Sequence, residues 1–83
     1  MRTIEFKSVR EYFRKEMQGL KPNTIRKVDD DVRFDLLRDF WRGNINQLNI
    51  RIVSVENPDE SFSREITDVS VMGDYYIISW KKE

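Results

Sequence analysis

The sequence contains neither cysteine nor histidine. Without cysteine the chain can form no disulfide, and it has no thiolate to act as a nucleophile or a metal ligand. Without histidine it lacks the commonest general base and the commonest metal ligand. Zinc chemistry and Ser-His-Asp or Cys-His catalysis are therefore excluded, and any acid–base work falls to Lys, Glu, Asp or Tyr. We expect no metal and no cofactor.

Long apolar runs are also missing. No segment approaches the length of a membrane span, and no signal-peptide pattern opens the chain. We therefore expect a cytoplasmic protein without membrane partners. The 83 residues predict one domain over residues 1–83, near the lower limit of what can bury a self-sufficient core.

The formal net charge is zero, but the charges are unevenly placed along the chain. Residues 1–27 hold eight Lys and Arg against three Glu, whereas residues 28–83 hold seven bases against twelve acids. This asymmetry is typical of a molecule with one basic face, suited to phosphate or to an acidic partner. Ordinary solvated faces are the alternative explanation.

The first quarter of the chain predicts a strand followed by a helix. Residues 2–7 alternate polar and apolar side chains, which is typical of a half-buried strand. Ser8 and Glu11 fit a capping box that begins a helix, and Gly19 is placed to end it. One apolar stripe at helical spacing supports the helix: Val9, Tyr12, Phe13, Met17 and Leu20.

The middle of the chain predicts a short strand and a second helix. Pro22 cannot continue the first helix, and Thr24–Arg26 can form a strand. Asp29–Asp31 precede a largely apolar segment over residues 32–41, and acids favour a helix N-terminus, while Gly43 can end the helix. Three consecutive carboxylates point in different directions and no calcium-loop pattern surrounds them, so capping is favoured over a Mg²⁺ or Ca²⁺ site.

The remaining sequence is rich in strand patterns. Residues 48–55 and 61–71 read as strands, and the apolar phase of the second shifts near Thr67–Asp68, which predicts a bulge. Residues 75–80 are apolar on both faces and predict a central strand. Strand, helix, short strand, helix and three antiparallel strands predict an α+β fold: a small bent antiparallel or mixed sheet, or an open β-barrel, with two helices.

The turn after the first helix carries the densest set of polar donors. Lys21, Thr24, Arg26 and Lys27 fall within seven residues, a pattern that suits an anionic or polar ligand. We expect Lys21 and Thr24 to lie in a hollow enclosed by the later strands.

Three segments resemble the ASCH group of the PUA-like superfamily. They are Gly19-x-Lys21-x-x-Thr24-x-Arg26, the acidic-aliphatic pattern at residues 64–69, and the aromatic-rich strand at residues 75–80. The resemblance implies a PUA-like barrel with a cleft near the Gly-x-Lys turn, in a family whose members bind RNA or modified nucleosides. Small members with such patterns would not be out of place in phage genomes.

One branch of that family consists of amidohydrolases that act on acylated cytidine through a lysine, a threonine and a later glutamate. By this resemblance Lys21 and Thr24 match the first two. The glutamate comes from a helical insertion between the late strands, and only residues 72–74 fill that gap here. The usual Gly-Asp step before the middle strand is missing too, with residues 43–47 in its place.

We therefore expect a binding module for RNA, a nucleotide or a modified nucleoside. Lys21, Arg26 and Lys27 would supply charge and Thr24 a hydrogen bond, while Tyr76 or Trp80 would stack on a base. Packing in the core is the alternative role of the two rings. The zero net charge favours a selective cleft over a long groove.

Two other functions stay open. In a hydrolase, Lys21 would serve as the base for Thr24 or water, and Glu65 or Asp68 would orient it. An interaction protein, for example a phage-encoded inhibitor of a host enzyme, would use an acidic surface to imitate phosphates. The acids considered for this surface are Asp29, Asp30, Asp31, Asp35, Asp39, Asp59 and Glu60.

Overall fold

The computed structural model of the protein describes residues 2–81. In chain order these residues form β1 (Thr3–Ser8), α1 (Arg10–Met17), β2 (Asn23–Lys27), α2 (Val32–Trp41), β3 (Asn49–Ser54), β4 (Ser61–Met72) and β5 (Tyr75–Trp80). The predicted order of elements is confirmed. Neither helix within these residues is long and apolar enough to cross a membrane.

The five strands form one curled, mixed sheet in the order β1-β3-β4-β5-β2. β1 and β3 are parallel, and the other neighbours are antiparallel. The register of β4 against β5 shifts between Ile66 and Asp68, where the sequence predicts a bulge. β5 lies between β4 and β2, so its prediction as an interior strand is also confirmed. The curled sheet confirms the predicted small α+β fold with an open barrel.

The seam of the open barrel lies between its two edge strands, β1 and β2. Arg26 on β2 donates to the carbonyl of Lys7 on β1 at 2.8 Å, and Arg33 at the start of α2 donates to the carbonyl of Glu5 at 3.0 Å. Glu5 and Lys7 alternate with the β1 residues that bond to β3, so their carbonyls face away from the sheet. Two guanidinium groups thus occupy an edge that would otherwise be unpaired.

α2 forms where the sequence predicts a helix. It buries Phe34 and Leu37, while Leu36 and Phe40 pack partly against the same core. The Asp31 carboxylate caps the helix by accepting from the Arg33 amide at 2.9 Å, which confirms capping as a role for the aspartate run. Gly43 follows the helix with a left-handed φ of +79°.

α1 differs from its prediction. It buries Phe13 and Glu16, while the rest of the expected apolar stripe is exposed. The capping box is wrong, because β1 extends through Ser8 and the helix begins only at Arg10, with no side chain capping it. The inward register of β1 turns the Ser8 hydroxyl toward Glu16 instead. Gly19 takes a left-handed φ of +79°, as expected of the residue that ends the helix.

Candidate functional site

A cleft of about 440 Å³ opens at the seam, between β1, α1 and β2. We call it the Tyr12 cleft. Its lining comprises Lys7, Ser8, Val9, Tyr12, Glu16, Lys21, Thr24, Ile25 and Arg26. Lys21 and Thr24 therefore share a hollow, as expected. The expectation that the later strands enclose it is wrong, because no residue of β3, β4 or β5 lines the cleft. Its lining lies on and around β1, α1 and β2, and β1 and β2 are the two edges of the sheet.

A buried carboxylate forms the floor of the Tyr12 cleft. The Glu16 residue is only 1% exposed. The Ser8 hydroxyl donates to its Oε1 at 2.8 Å, and the Lys21 Nζ lies 3.5 Å from its Oε2. Both carboxylate oxygens thus have a partner, which offsets the cost of removing the charge from water.

Lys21 is oriented by three groups. Besides its contact with Glu16, its Nζ donates to the carbonyl of Asn23 at 3.0 Å. The same nitrogen lies 5.6 Å from the centroid of the Tyr12 ring, within the range of a cation–π contact. The ammonium is therefore held between the floor of the cleft and its aromatic rim.

Arg26 connects the two sides of the floor. It donates to the Thr24 hydroxyl at 3.0 Å and to the Ser8 hydroxyl at 2.9 Å. Burial lowers the pKa of Arg26, the Glu16 carboxylate opposes that shift, and Arg33 adds to it. Arginine nevertheless stays charged at neutral pH. Because Ser8 also bonds Glu16, one continuous network joins the Lys21 ammonium to the Thr24 hydroxyl.

The rim of the cleft is apolar where its floor is charged. Val9, Tyr12 and Ile25 all line the cleft and are all exposed. The predicted stripe on α1 thus supplies part of this rim instead of the core. An apolar rim above a network of fixed charges suits a flat ligand with a polar edge.

The predicted stacking residues are wrong. Tyr76 and Trp80 are 7% and 4% exposed and belong to the core. Tyr76 packs on Phe34 with 6.0 Å between ring centroids, and Trp80 packs on Phe62 at 6.1 Å. Alternate residues of β5 face the core, so both rings are almost wholly covered by neighbouring side chains.

Tyr12 is an exposed aromatic residue of the cleft that was not predicted from the sequence as a site residue. Its position in the apolar stripe of the predicted helix assigned it to the core. The available signal was the shortness of the helix. Over about two turns, apolar residues at helical spacing fit more than one choice of buried face, so the pattern alone does not decide whether Tyr12 faces the core. The face that is buried carries Phe13 and, three residues later, Glu16.

The predicted cluster of donors divides between two places. Lys21, Thr24 and Arg26 line the Tyr12 cleft, whereas Lys27 is exposed and lines a neighbouring hollow. The carboxylate beside Lys21 is Glu16. The predicted partners Glu65 and Asp68 lie on β4, are exposed, and are absent from the lining of the Tyr12 cleft.

Four of the seven acids predicted for a phosphate-mimicking surface line two separate hollows. Asp29, Asp30 and Asp35 line a hollow together with Arg38. Glu60, in the connection between β3 and β4, lines a different hollow with Arg10 and Arg14. Within residues 2–81, no group of three or more acids is arranged to hold a metal ion.

The hydrogen bonds at the Thr24 hydroxyl connect it to a donor and to no base among residues 2–81. A nucleophilic hydroxyl needs a base within about 2.6–3.2 Å to accept its proton. The Thr24 hydroxyl instead accepts a hydrogen bond from Arg26, and Lys21 donates to Glu16 and Asn23. The network therefore fixes donors and acceptors in place without pairing Thr24 to a base.

A scan against protein-family models gives no match for the chain, and a search of curated proteins gives none. The resemblance to ASCH domains stays a hypothesis.

Proposed function

We propose that the Tyr12 cleft binds a ligand that carries a nucleobase: a nucleotide, a modified nucleoside, or an unpaired nucleotide of RNA. One observation carries this proposal. An exposed tyrosine ring stands at the mouth of a cleft whose floor is a fixed network of hydrogen-bonding groups. A base has an aromatic face for such a ring and a polar edge for such a floor.

The dimensions and chemistry of the cleft support the proposal. Its volume of about 440 Å³ falls within the usual range of small-ligand sites. The Thr24 hydroxyl accepts from Arg26 but donates to no protein group among residues 2–81, so its hydrogen is available to a base-edge acceptor. The three cations that line the cleft outnumber its single carboxylate, which favours an electron-rich ligand.

The resemblance to the ASCH group supports the same ligand class. It assigns the cleft to the turn after the first helix, and Lys21, Thr24 and Arg26 carry the matching pattern. Isolated bases are better suited to this cleft than a long nucleic-acid groove, since the chain has no net charge to neutralise many phosphates.

Isothermal titration calorimetry with the four ribonucleosides and a short single-stranded RNA tests the proposal. Tyr12→Ala should weaken the strongest binding about 5- to 150-fold, because stacking on an aromatic side chain is worth about 1–3 kcal/mol per base. Trp41→Ala is the matched control: Trp41 is 51% exposed against 50% for Tyr12, but it lies on α2 outside the cleft. Equal losses in both variants, or no saturable binding to the intact protein, would refute the proposal.

Hydrolysis of acylated cytidine is the second candidate function. Its support is the meeting of Lys21, Thr24 and a carboxylate, that of Glu16, in one cleft. A hydrolase should release cytidine from N4-acylated cytidine, and Lys21→Ala should abolish the release. Binding of the substrate without turnover would leave the cleft as a binding site alone.

A further inference from the structure

A second cleft adjoins the Tyr12 cleft along the seam. It also has a volume of about 440 Å³, and the two clefts share Lys7 and Arg26 in their linings. We call it the Lys27 cleft. The exposed apolar rim residues of the first cleft are absent from the second. Two core residues, Phe6 and Phe34, and further charged groups, including Lys27 and Arg33, line the second cleft.

The cations of the Lys27 cleft are of two kinds. Arg26 and Arg33 are committed to the protein, since Arg26 bonds Thr24, Ser8 and Lys7, and Arg33 bonds Asp31 and the carbonyl of Glu5. Lys7 and Lys27 are exposed, and neither ammonium donates to a protein acceptor among residues 2–81.

Each carboxylate that lines the Lys27 cleft has a partner in the protein. Glu5 lies 3.8 Å from Arg51, and Asp29 accepts from the Asp30 amide at 2.8 Å. Four cations against two carboxylates leave a net positive lining. That balance suits one small anion better than a polyanion.

We propose that Lys7 and Lys27 form a phosphate subsite for the ligand whose base lies against Tyr12. The inference rests on the proposed function, and it narrows the ligand class to a nucleoside monophosphate or a nucleotide with its backbone phosphate. Lysine binds phosphate as a mobile point charge, and these two side chains are free to move to it. The shared residues Lys7 and Arg26 place the subsite directly beside the base.

Calorimetry at low salt tests the subsite with each nucleoside, its 5′- and 3′-monophosphates, a dinucleotide and inorganic phosphate. The best monophosphate should bind about five-fold tighter than its nucleoside for each ammonium engaged, as expected of unit charges about 4 Å apart in water. Lys27→Gln should remove much of this advantage while leaving the nucleoside affinity unchanged. A dinucleotide that gains more than either monophosphate would assign the phosphate to an RNA backbone; a larger gain for a monophosphate would assign it to a free nucleotide.

Lys15→Gln is the control variant. Lys15 lies on α1, pairs with Glu11 at 3.7 Å, and lines neither cleft. The Lys15→Gln substitution removes the same charge from the protein. The variant should still bind the monophosphate more tightly than the nucleoside.

The possible failures separate the two proposals. Nucleoside binding without a gain from phosphate, or equal losses in Lys27→Gln and Lys15→Gln, would overturn the subsite and leave the nucleobase cleft standing. Absence of binding for every nucleoside and nucleotide would overturn both.

Discussion

The two helices of this small protein bury different kinds of residue. α2 buries Phe34 and Leu37 against the sheet. α1, which follows the first strand, buries Phe13 together with a glutamate, Glu16. Most of the apolar side chains on and around α1 are exposed, whereas α2 packs two further apolar residues against the core.

This difference indicates that the two helices have different roles. α2 closes the core in the ordinary way of an amphipathic helix. α1 instead supplies part of the floor and part of the rim of the Tyr12 cleft, through the buried Glu16 and the exposed Tyr12. Substitutions in α2 should therefore change stability, while substitutions at the exposed rim near α1 should change binding.

The largest effect is expected in α2. Leu37 is fully buried, and Leu37→Ala should lower the free energy of unfolding by about 2–5 kcal/mol through lost contacts and a residual cavity. Leu20→Ala makes the same change at an exposed position after α1 and should cost no more than about 0.5 kcal/mol. Urea denaturation measures both. Similar losses in the two variants would contradict the division between the helices.

A smaller effect is expected from the carboxylate buried by α1. Glu16→Ala leaves Ser8 and Lys21 without their shared acceptor and should cost about 1–3 kcal/mol. Glu11→Ala, on the same helix, removes only an exposed pair with Lys15 and should cost under about 1 kcal/mol. Glu16→Gln keeps an acceptor for Ser8 and should recover part of the stability. Thermal and urea unfolding would refute the role of Glu16 if both alanine variants behaved alike.

The smallest effect concerns the cap of α2. Hydrogen bonds from the Arg33 side chain hold the pKa of Asp31 below its usual range. A lowered folded-state pKa means that the unfolded chain binds more protons in acid, so this stabilisation is present above the unfolded pKa of about 3.9 and is lost as pH falls through the folded value. Asp31→Asn should flatten the decline of stability below about pH 4. An unchanged acid limb in urea titrations would contradict this linkage.

The order of elements could be predicted because local signals are strong. Gly19 and Gly43 end their helices, the aspartate run supplies a cap, and the phase shift near residues 67–68 becomes a bulge. These features depend on residues close in sequence. The predicted open α+β sheet follows from the same order of elements.

The site could be predicted only in part because its geometry depends on distant parts of the chain. Lys21, Thr24 and Arg26 come from one turn and one strand face, so their proximity is local. Glu16 became part of the site through the packing of α1, which buries it within hydrogen-bond distance of Ser8 on β1. The final strand is apolar on both faces, so the sequence alone did not decide that Tyr76 faces the core while Tyr75 is exposed.

The most direct test of the cleft is a nuclear magnetic resonance titration of the ¹⁵N-labelled protein with nucleosides. Saturable amide shifts should concentrate in the residues that line the Tyr12 cleft and should be absent from residues 35–41 of α2. Shifts confined to α2, or no saturable shift with any nucleoside, would contradict the assignment of this cleft as a nucleobase site.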